Sequence, residues 1–284
     1  MIIATDLDRT LIPNGFDEYD GSLPLFFDIV EKKKIPLIYV TGRNLDLFEE
    51  AKKEYKIKNP DYLIGEVGTV IYKRETPSES IFNLFKKEKM VLDKDWFEHL
   101  NKKVGGNWNF GLIKRKLEEI KDIELQEEWK LNNYKISYYL RNLEKEDEVV
   151  EQINKIVLLY LGMKANIIFS VDPIKKTGLI DILPQSATKT SALEFLRIRL
   201  GASKDDTIYC GDSGNDIIPL TSGYKSIVVK NARDKIKEVV SKINHNLGHP
   251  ERLYVAKGND KMNGNYSSGI IEGLLKFGII EKLK

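Results

Sequence analysis

Four short apolar runs along the chain stop abruptly in clusters of polar residues. Met1–Thr5 runs into Asp6-Leu-Asp-Arg-Thr10, and Ile35–Val40 runs into Thr41-Gly-Arg43. Tyr62–Ile64 meets Gly65-Glu-Val-Gly68, and Thr207–Cys210 meets Gly211-Asp-Ser-Gly-Asn-Asp216. Unbroken apolar runs of this length, without alternation, predict strands buried on both faces of a parallel sheet. Between them, Leu23–Lys34 places Leu23, Phe26, Phe27 and Val30 near helical spacing, and Leu45–Tyr55 does the same with Leu47, Ala51 and Tyr55. Strand, helix, strand, helix is the order of a doubly wound α/β sheet, in which ligands sit beyond the carboxyl ends of the strands. All four polar clusters fall there.

The middle of the chain has a different texture. From about Ser78 to Gln185 no such cluster occurs, and Trp96, Trp108 and Trp129 all lie in this stretch. The spacing predicts helices over Asp95–Val104, Phe110–Lys121 and Glu146–Leu161, and strands over Tyr134–Leu140, Asn166–Val171 and Gly178–Leu183. We read residues 78–185 as an inserted α+β unit and residues 1–77 with 186–284 as the α/β core. The core pattern resumes with a helix at Ser191–Leu200, a strand at Lys225–Val229 and a helix at Asp234–Ile243. The Gly/Asn/Ser-rich stretch Gly258–Gly269 predicts a loop leading into a helix at Ile270–Phe277.

Composition adds exclusions. Among 284 residues, 45 basic and 43 acidic side chains give a net charge of +2, which points to neither a nucleic-acid binder nor an acidic tail. Lys32–Lys34 and the Lys86–Lys89 stretch sit beside acidic residues and read as solvated faces. The single cysteine, Cys210, excludes an intrachain disulfide framework and is expected in a buried strand. No apolar stretch is long enough for a membrane helix. No export signal is visible at the N-terminus, so the expectation is a cytoplasmic monomer with no nucleic-acid or membrane partner. His245 and His249 are four apart, but Gly248 and Pro250 predict a surface loop rather than a helical metal site.

The chemistry lies in the carboxylates. Asp6 and Asp8, two residues apart at the end of an extended run, project to one side, and Asp212 and Asp216 lie at the mouth of another strand. Acids gathered this way repel one another unless a cation lies between them or one is protonated. Four aspartates over one sheet edge, with Lys189 near, amount to a magnesium site and its counter-charge, since Mg²⁺ takes hard oxygen ligands together with a substrate phosphate.

Asp6-Leu-Asp8-Arg-Thr10, Thr41-Gly-Arg43, Lys189 and Gly211-Asp212-Ser-Gly-Asn215-Asp216, in this order, resemble the four motifs of the haloacid-dehalogenase-like (HAD) phosphatases. The resemblance implies a Rossmann-like core with an α/β cap between the second and third motifs. It implies Asp6 as nucleophile and Asp8 as general acid and base. It also implies Mg²⁺ held by Asp6, the Asp8 carbonyl and Asp212, with Asp216 supporting the metal or orienting Lys189. Thr10, Thr41, Gly42 and Lys189 are the implied phosphate holders, and Ser213 and Asn215 shape the loop around them. Two departures stand out. Ser186-Ala-Thr-Lys189-Thr190 replaces the Gly-x-x-Lys-Gly of many relatives, and Arg9 stands where glycine or asparagine is common, expected to point into solvent or toward substrate.

Within the superfamily, the stretch Pro60–Tyr72, Tyr134-Lys-Ile-Ser-Tyr138, Ile167–Ser170, Asp181–Gln185, Gly211–Ile217 and Ser267–Glu272 are similar to sucrose-phosphate phosphatases and related disaccharide-phosphate enzymes. Plant members carry a further C-terminal domain, so the expected likeness is to the shorter bacterial form. The implied substrate is a small sugar phosphate, foremost sucrose 6-phosphate, supplied by an upstream sugar-phosphate synthase. Mannosylfructose phosphate, glucosylglycerol phosphate and mannosyl-3-phosphoglycerate are alternatives, as is a hexose phosphomutase reaction or, last, binding without turnover. Arg43, Lys135, Ser137 and Asp181 are the expected sugar-binding residues.

Overall fold

The computed structural model describes residues 1–75, 88–172 and 175–281. In chain order these hold β1 (Ile2–Thr5), α1 (Leu23–Lys33), β2 (Leu37–Val40), α2 (Leu45–Tyr55), β3 (Tyr62–Gly65), β4 (Val70–Glu75), β5 (Lys89–Leu92) and α3 (Lys94–Val104). Then follow α4 (Phe110–Leu117), β6 (Ile123–Leu125), β7 (Ile136–Leu140), α5 (Glu146–Asn154), β8 (Ala165–Asp172) and β9 (Thr177–Pro184). The chain continues with α6 (Lys189–Arg199), β10 (Thr207–Gly211), α7 (Ile217–Leu220), β11 (Lys225–Val228), α8 (Asp234–Asn246), β12 (Leu253–Val255) and α9 (Tyr266–Lys276).

The larger sheet has the order β12-β11-β10-β1-β2-β3-β4-β5. Its first six strands are parallel, while β4 and β5 pair antiparallel at one edge. The apolar runs do not alternate because both faces of this sheet are covered. Ile3, Leu37, Tyr39, Leu63, Ile208 and Cys210 pack with Phe26, Phe48 and Ile270 of α1, α2 and α9. Their neighbours Ile2, Ala4, Ile38, Val40, Ile64 and Tyr209 pack on the other face with Trp96, Leu193 and Val240 of α3, α6 and α8. Cys210 is buried as a strand residue, as expected.

A second, antiparallel sheet has the order β6-β7-β9-β8. Its apolar face (Ile136, Tyr138, Leu140, Ile180, Ile182) packs on Ile113 and Leu117 of α4 and on Val149 and Ile153 of α5. Residues in alternation with these, Lys135, Ser137 and Asp181, are buried polar groups on the opposite side.

Several sequence expectations need adjustment. The expected division between residues 77 and 78 lies outside the described residues. However, β5 extends the larger sheet, and Trp96 and Leu100 of α3 belong to its core, so residues 88–104 lie with that sheet rather than with the second one. The helix read as Glu146–Leu161 is α-helical only to Asn154 and widens into a π-helical turn over Lys155–Tyr160. Helix α8 runs past the expected loop start and carries His245, and α9 begins at Tyr266, inside the Gly/Asn/Ser-rich stretch. Polar composition misled there: Ser267 and Ser268 are buried, with Ser267 Oγ bonded to Ser22 Oγ at 2.8 Å. Among the described residues, no helix is long and apolar enough to cross a membrane.

Trp96 is 1% exposed and donates its indole N–H to the Thr69 carbonyl at 3.3 Å. Trp96→Ala is expected to destabilise the chain by about 3–5 kcal/mol, measured by urea unfolding. Trp129→Ala, at a side chain 54% exposed, is expected to stay within about 1 kcal/mol of the parent.

Candidate active site

Strands β10, β1 and β2 are adjacent, and their carboxyl ends bring together Asp212, Asp6 and Thr41. The chain winds outward from β1 through β2 and β3 on one side and from β10 through β11 and β12 on the other, which opens a crevice between β1 and β10. Asp6, Asp212 and Asp216 are all buried, and one oxygen from each lies within 4.8 Å of the others.

Lys189 binds this cluster together. Its ammonium donates to Asp6 Oδ1 at 2.6 Å, Asp216 Oδ1 at 2.8 Å and Asn215 Oδ1 at 2.8 Å, and the residue is 1% exposed. It is the first residue of α6, whose start is fixed by a capping box. The Thr188 hydroxyl accepts from Ser191 N–H at 3.2 Å, and Thr188 N–H donates to Ser191 Oγ at 2.8 Å. These hydroxyls supply the local order at the position where many relatives use glycines.

Asp216 is the most heavily bonded of the acids. Its Oδ1 accepts from Lys189 and from the Tyr209 hydroxyl at 2.6 Å. Its Oδ2 accepts from the N–H groups of Asp212 and Ser213 and from Ser213 Oγ, at 3.2, 3.1 and 3.1 Å. These bonds tie Asp216 to Lys189 and to the Asp212 loop; the Asp6 carboxylate accepts from Lys189, and that of Asp212 from Arg9 and Thr10. Gly211 is required here: a Cβ would lie 2.6 Å from that of Asp216. Asn215 Oδ1 accepts from both Lys189 and the Ser213 hydroxyl.

The electrostatics follow from burial. Removal from water, then the nearby Asp216, Asp212 and Asp8, push the Asp6 carboxyl well above its ordinary value against the pull of Lys189. Burial and Asp216 push Asp212 up to about 7, with Arg9 and Lys189 opposing. For Lys189, burial works to lower the value, but the carboxylates of Asp216 and Asp6 prevail and raise it, so it stays charged. Three acids thus face two cations, and the donor set is hard carboxylate oxygen. A divalent cation fits that imbalance.

Arg9 does not point into solvent. It adopts φ = 62°, a left-handed geometry that glycine and asparagine take up most readily. Its guanidinium turns inward, with Nε 3.2 Å from Asp212 Oδ2 and Nη2 2.9 Å from the Asn231 carbonyl. Thr10 Oγ1 lies 3.2 Å from Asp212 Oδ1, so this hydroxyl orients an acid rather than standing free.

Asp8 is not part of the acid cluster. Its carboxylate is gripped by Arg43, with Nε at 2.9 Å and Nη2 at 2.6 Å, and by the side-chain amide of Asn14. Arg43, expected on the sugar, therefore lies on Asp8, and it also donates to the Leu47 carbonyl at 3.0 Å. Thr41 is buried, and its hydroxyl accepts from Arg43 N–H at 3.1 Å, while Gly42 is exposed beside it.

On the second sheet, Ser137 donates to Asp181 Oδ1 at 2.5 Å across the paired strands β7 and β9, and Lys135 Nζ donates to the Lys130 carbonyl at 3.1 Å. These three are held on one polar face but are not in contact with Asp6 or Lys189. A cleft of about 350 Å³ runs between β8 and α8, lined by Arg9, Asp212, Asn215, Phe169 and Arg233. Sequence reasoning missed Tyr209, Asn14 and Asn231. Tyr209 is hidden inside an apolar run, and the two asparagines read as ordinary turn residues; only their contacts reveal them.

The family model described as sucrose-6F-phosphate phosphohydrolase matches residues 1–278. A relative described as a putative HAD-like hydrolase, from Nitrosococcus oceani, is 34% identical over 98% of this chain and 71% of its own length. A probable sucrose-phosphatase 2 from Arabidopsis thaliana is 32% identical over 83% of this chain and 52% of its own, so the chain spans about half the length of that plant relative. The fold matches the sucrose-phosphatase of Synechocystis, solved with sucrose and phosphate, at a TM-score of 0.74 and 23% identity over 98% of both chains. Motifs, fold and family model agree, and the chain belongs to the sucrose-phosphatase family of HAD-like phosphoric monoester hydrolases.

Proposed function

We propose that this chain is a Mg²⁺-dependent phosphatase acting on a disaccharide phosphate, foremost sucrose 6-phosphate, through an aspartyl-phosphate on Asp6. The observation that carries the reading is the contact of Lys189 with Asp6, Asn215 and Asp216 beside a further buried acid, Asp212. Asp6 Oδ1 is fixed by Lys189, which leaves the other oxygen to attack phosphorus. Thr41, the N–H of Gly42, and Lys189 hold the phosphoryl oxygens, since phosphoryl transfer asks the protein mainly for position and compensating charge. Asp6, the Asp8 carbonyl and Asp212 are the proposed metal ligands. Bound Mg²⁺ lessens the repulsion between anionic nucleophile and anionic phosphate.

Asp8 then protonates the leaving sugar oxygen, and later takes a proton from the water that hydrolyses the intermediate. To reach either, it must exchange the fork of Arg43 for the substrate. Arg43 is accordingly proposed to act on Asp8 and, once released, on the sugar. The second sheet, over about residues 106–185, serves as the cap, with Lys135, Ser137 and Asp181 offering a polar face to sugar hydroxyls. The same reading takes the chain to be a cytoplasmic monomer supplied by a sugar-phosphate synthase.

Phosphate release is expected from sucrose 6-phosphate ahead of mannosylfructose, glucosylglycerol and simple hexose phosphates, with magnesium present. Chelation is expected to abolish it, and Asp6→Asn to lower kcat by about a thousandfold or more while the fold is retained. Sugar monophosphates interconverted without free phosphate would instead indicate a phosphomutase.

A second expectation concerns stability. Asp212 titrates at about 7 rather than at the ordinary 3.8, so between those values the folded chain holds a proton that the unfolded chain has released. Linkage makes stability fall as pH rises through that window. The metal-free protein is therefore expected to melt at a higher temperature at about pH 6 than at about pH 8. The difference should shrink in Asp212→Asn and with added magnesium, both followed by thermal unfolding.

A further inference from the structure

The turn joining β3 to β4 is held in a conformation its residues disfavour. Glu66 and Val67 have positive φ, 50° and 61°, a left-handed geometry unfavourable for side chains and most so for a β-branched one. Such residues persist where the surroundings over-determine them. Here the surroundings are the loops of the active site. Glu66 N–H donates to the Arg43 carbonyl and Val67 N–H to the Thr41 carbonyl, both at 3.0 Å. Gly68 approaches the next loop so closely that a Cβ would lie 2.1 Å from the Thr188 carbonyl carbon and 2.4 Å from Lys189 N. One short turn therefore touches the backbone of Thr41, Arg43 and Lys189.

The Glu66 and Thr69 side chains of that turn reach the segment that leads into β7. The Asn132 amide donates to the Glu66 carboxylate and, at 2.8 Å, to Thr69 Oγ1. Asn132 in turn exchanges backbone hydrogen bonds with Lys135 at 3.1 and 3.0 Å, directly before β7 and Ser137. Covalent and hydrogen-bonded links thus run from the polar face of the second sheet, through Asn132 and Glu66, to both phosphate-holding loops.

We propose that Asn132 and Glu66 form a clasp by which a sugar seated on the second sheet tightens the Thr41–Arg43 and Lys189 loops around the phosphoryl group. Glu66 is a positioning residue, acting through the backbone of Thr41 and Arg43 rather than on substrate. The clasp rests on the proposed sugar-phosphatase reading, and gives that reading a physical route by which the sugar influences the chemistry.

The test compares the parent, Asn132→Asp, Glu66→Gln and the double variant. Each is assayed for kcat and KM on the sugar phosphate the parent hydrolyses best and on p-nitrophenyl phosphate, whose leaving group carries no sugar. Asn132→Asp sets two carboxylates against each other, and is expected to lower the sugar-to-aryl ratio of kcat/KM by about tenfold, mainly in kcat. The double variant restores a donor–acceptor pair with the roles exchanged and is expected to recover most of the ratio. Glu66→Gln keeps an acceptor oxygen and is expected to stay within about twofold of the parent. Equal loss on both substrates in Asn132→Asp, no recovery in the double variant, or a ratio in Glu66→Gln as low as in Asn132→Asp would each overturn the clasp. A parent profile with no preference for disaccharide phosphates undoes the substrate reading instead, and leaves the clasp to be judged on the preferred sugar phosphate.

Discussion

An ammonium group buried among carboxylates is the constraint around which the rest of this molecule is arranged. Lys189 has almost no contact with water, and neither do Asp6, Asp212 or Asp216. Leaving any one of these charges without its partners costs roughly 3–5 kcal/mol, so their placement is enforced collectively. The scaffold meets that demand with rigid pieces. Asp6 and Asp212 leave adjacent parallel strands, Lys189 opens a capped helix, and Asp216 is fastened by Tyr209 from inside the sheet. None of these groups depends on a long unsupported loop for its position.

The two acids nearest the reaction are treated differently. Asp6 is held by a cation that remains in place, because Lys189 also answers to Asp216 and Asn215. Asp8 is held by Arg43 at the edge of the crevice, where its side chain is 36% exposed and the partner can be displaced. In the proposed mechanism this makes Asp6 a fixed nucleophile and Asp8 a releasable proton carrier, as a two-step displacement asks for. Arg9 adds a further fixed charge on Asp212, in a left-handed backbone stabilised by Asn14 on its N–H and Asn231 on its carbonyl.

Much of this was legible in the chain. Apolar runs ending in acids gave the strands and their business ends, because strands buried on two faces have no freedom to carry polar residues until they emerge. Lys189 and Asp216 were legible as well, as a charge and counter-charge at a strand mouth and a helix start. What could not be read were partnerships between residues far apart in sequence that look ordinary by themselves: Tyr209 within an apolar run, Asn132 in a turn, Arg43 on Asp8 rather than toward a sugar. Strand β5 and helix α3 were assigned to the inserted unit because short amphipathic segments carry no label for the sheet they join; the burial of Trp96 decides it. The start of α9 was read as loop because serine and asparagine usually favour turns, whereas here the two serines are buried between helices.

Strand β8 closes one side of the second sheet and pairs only with β9 within it. Its free margin does not meet solvent along its whole length, because Gly214 of the acid-bearing loop presses against the Phe169 carbonyl, where even a methyl group would collide at 2.3 Å. Bare strand margins invite pairing with other molecules. The absence of a side chain at Gly214 therefore lets the acid-bearing loop cover part of that margin, and separating the two sheets at this point would expose it.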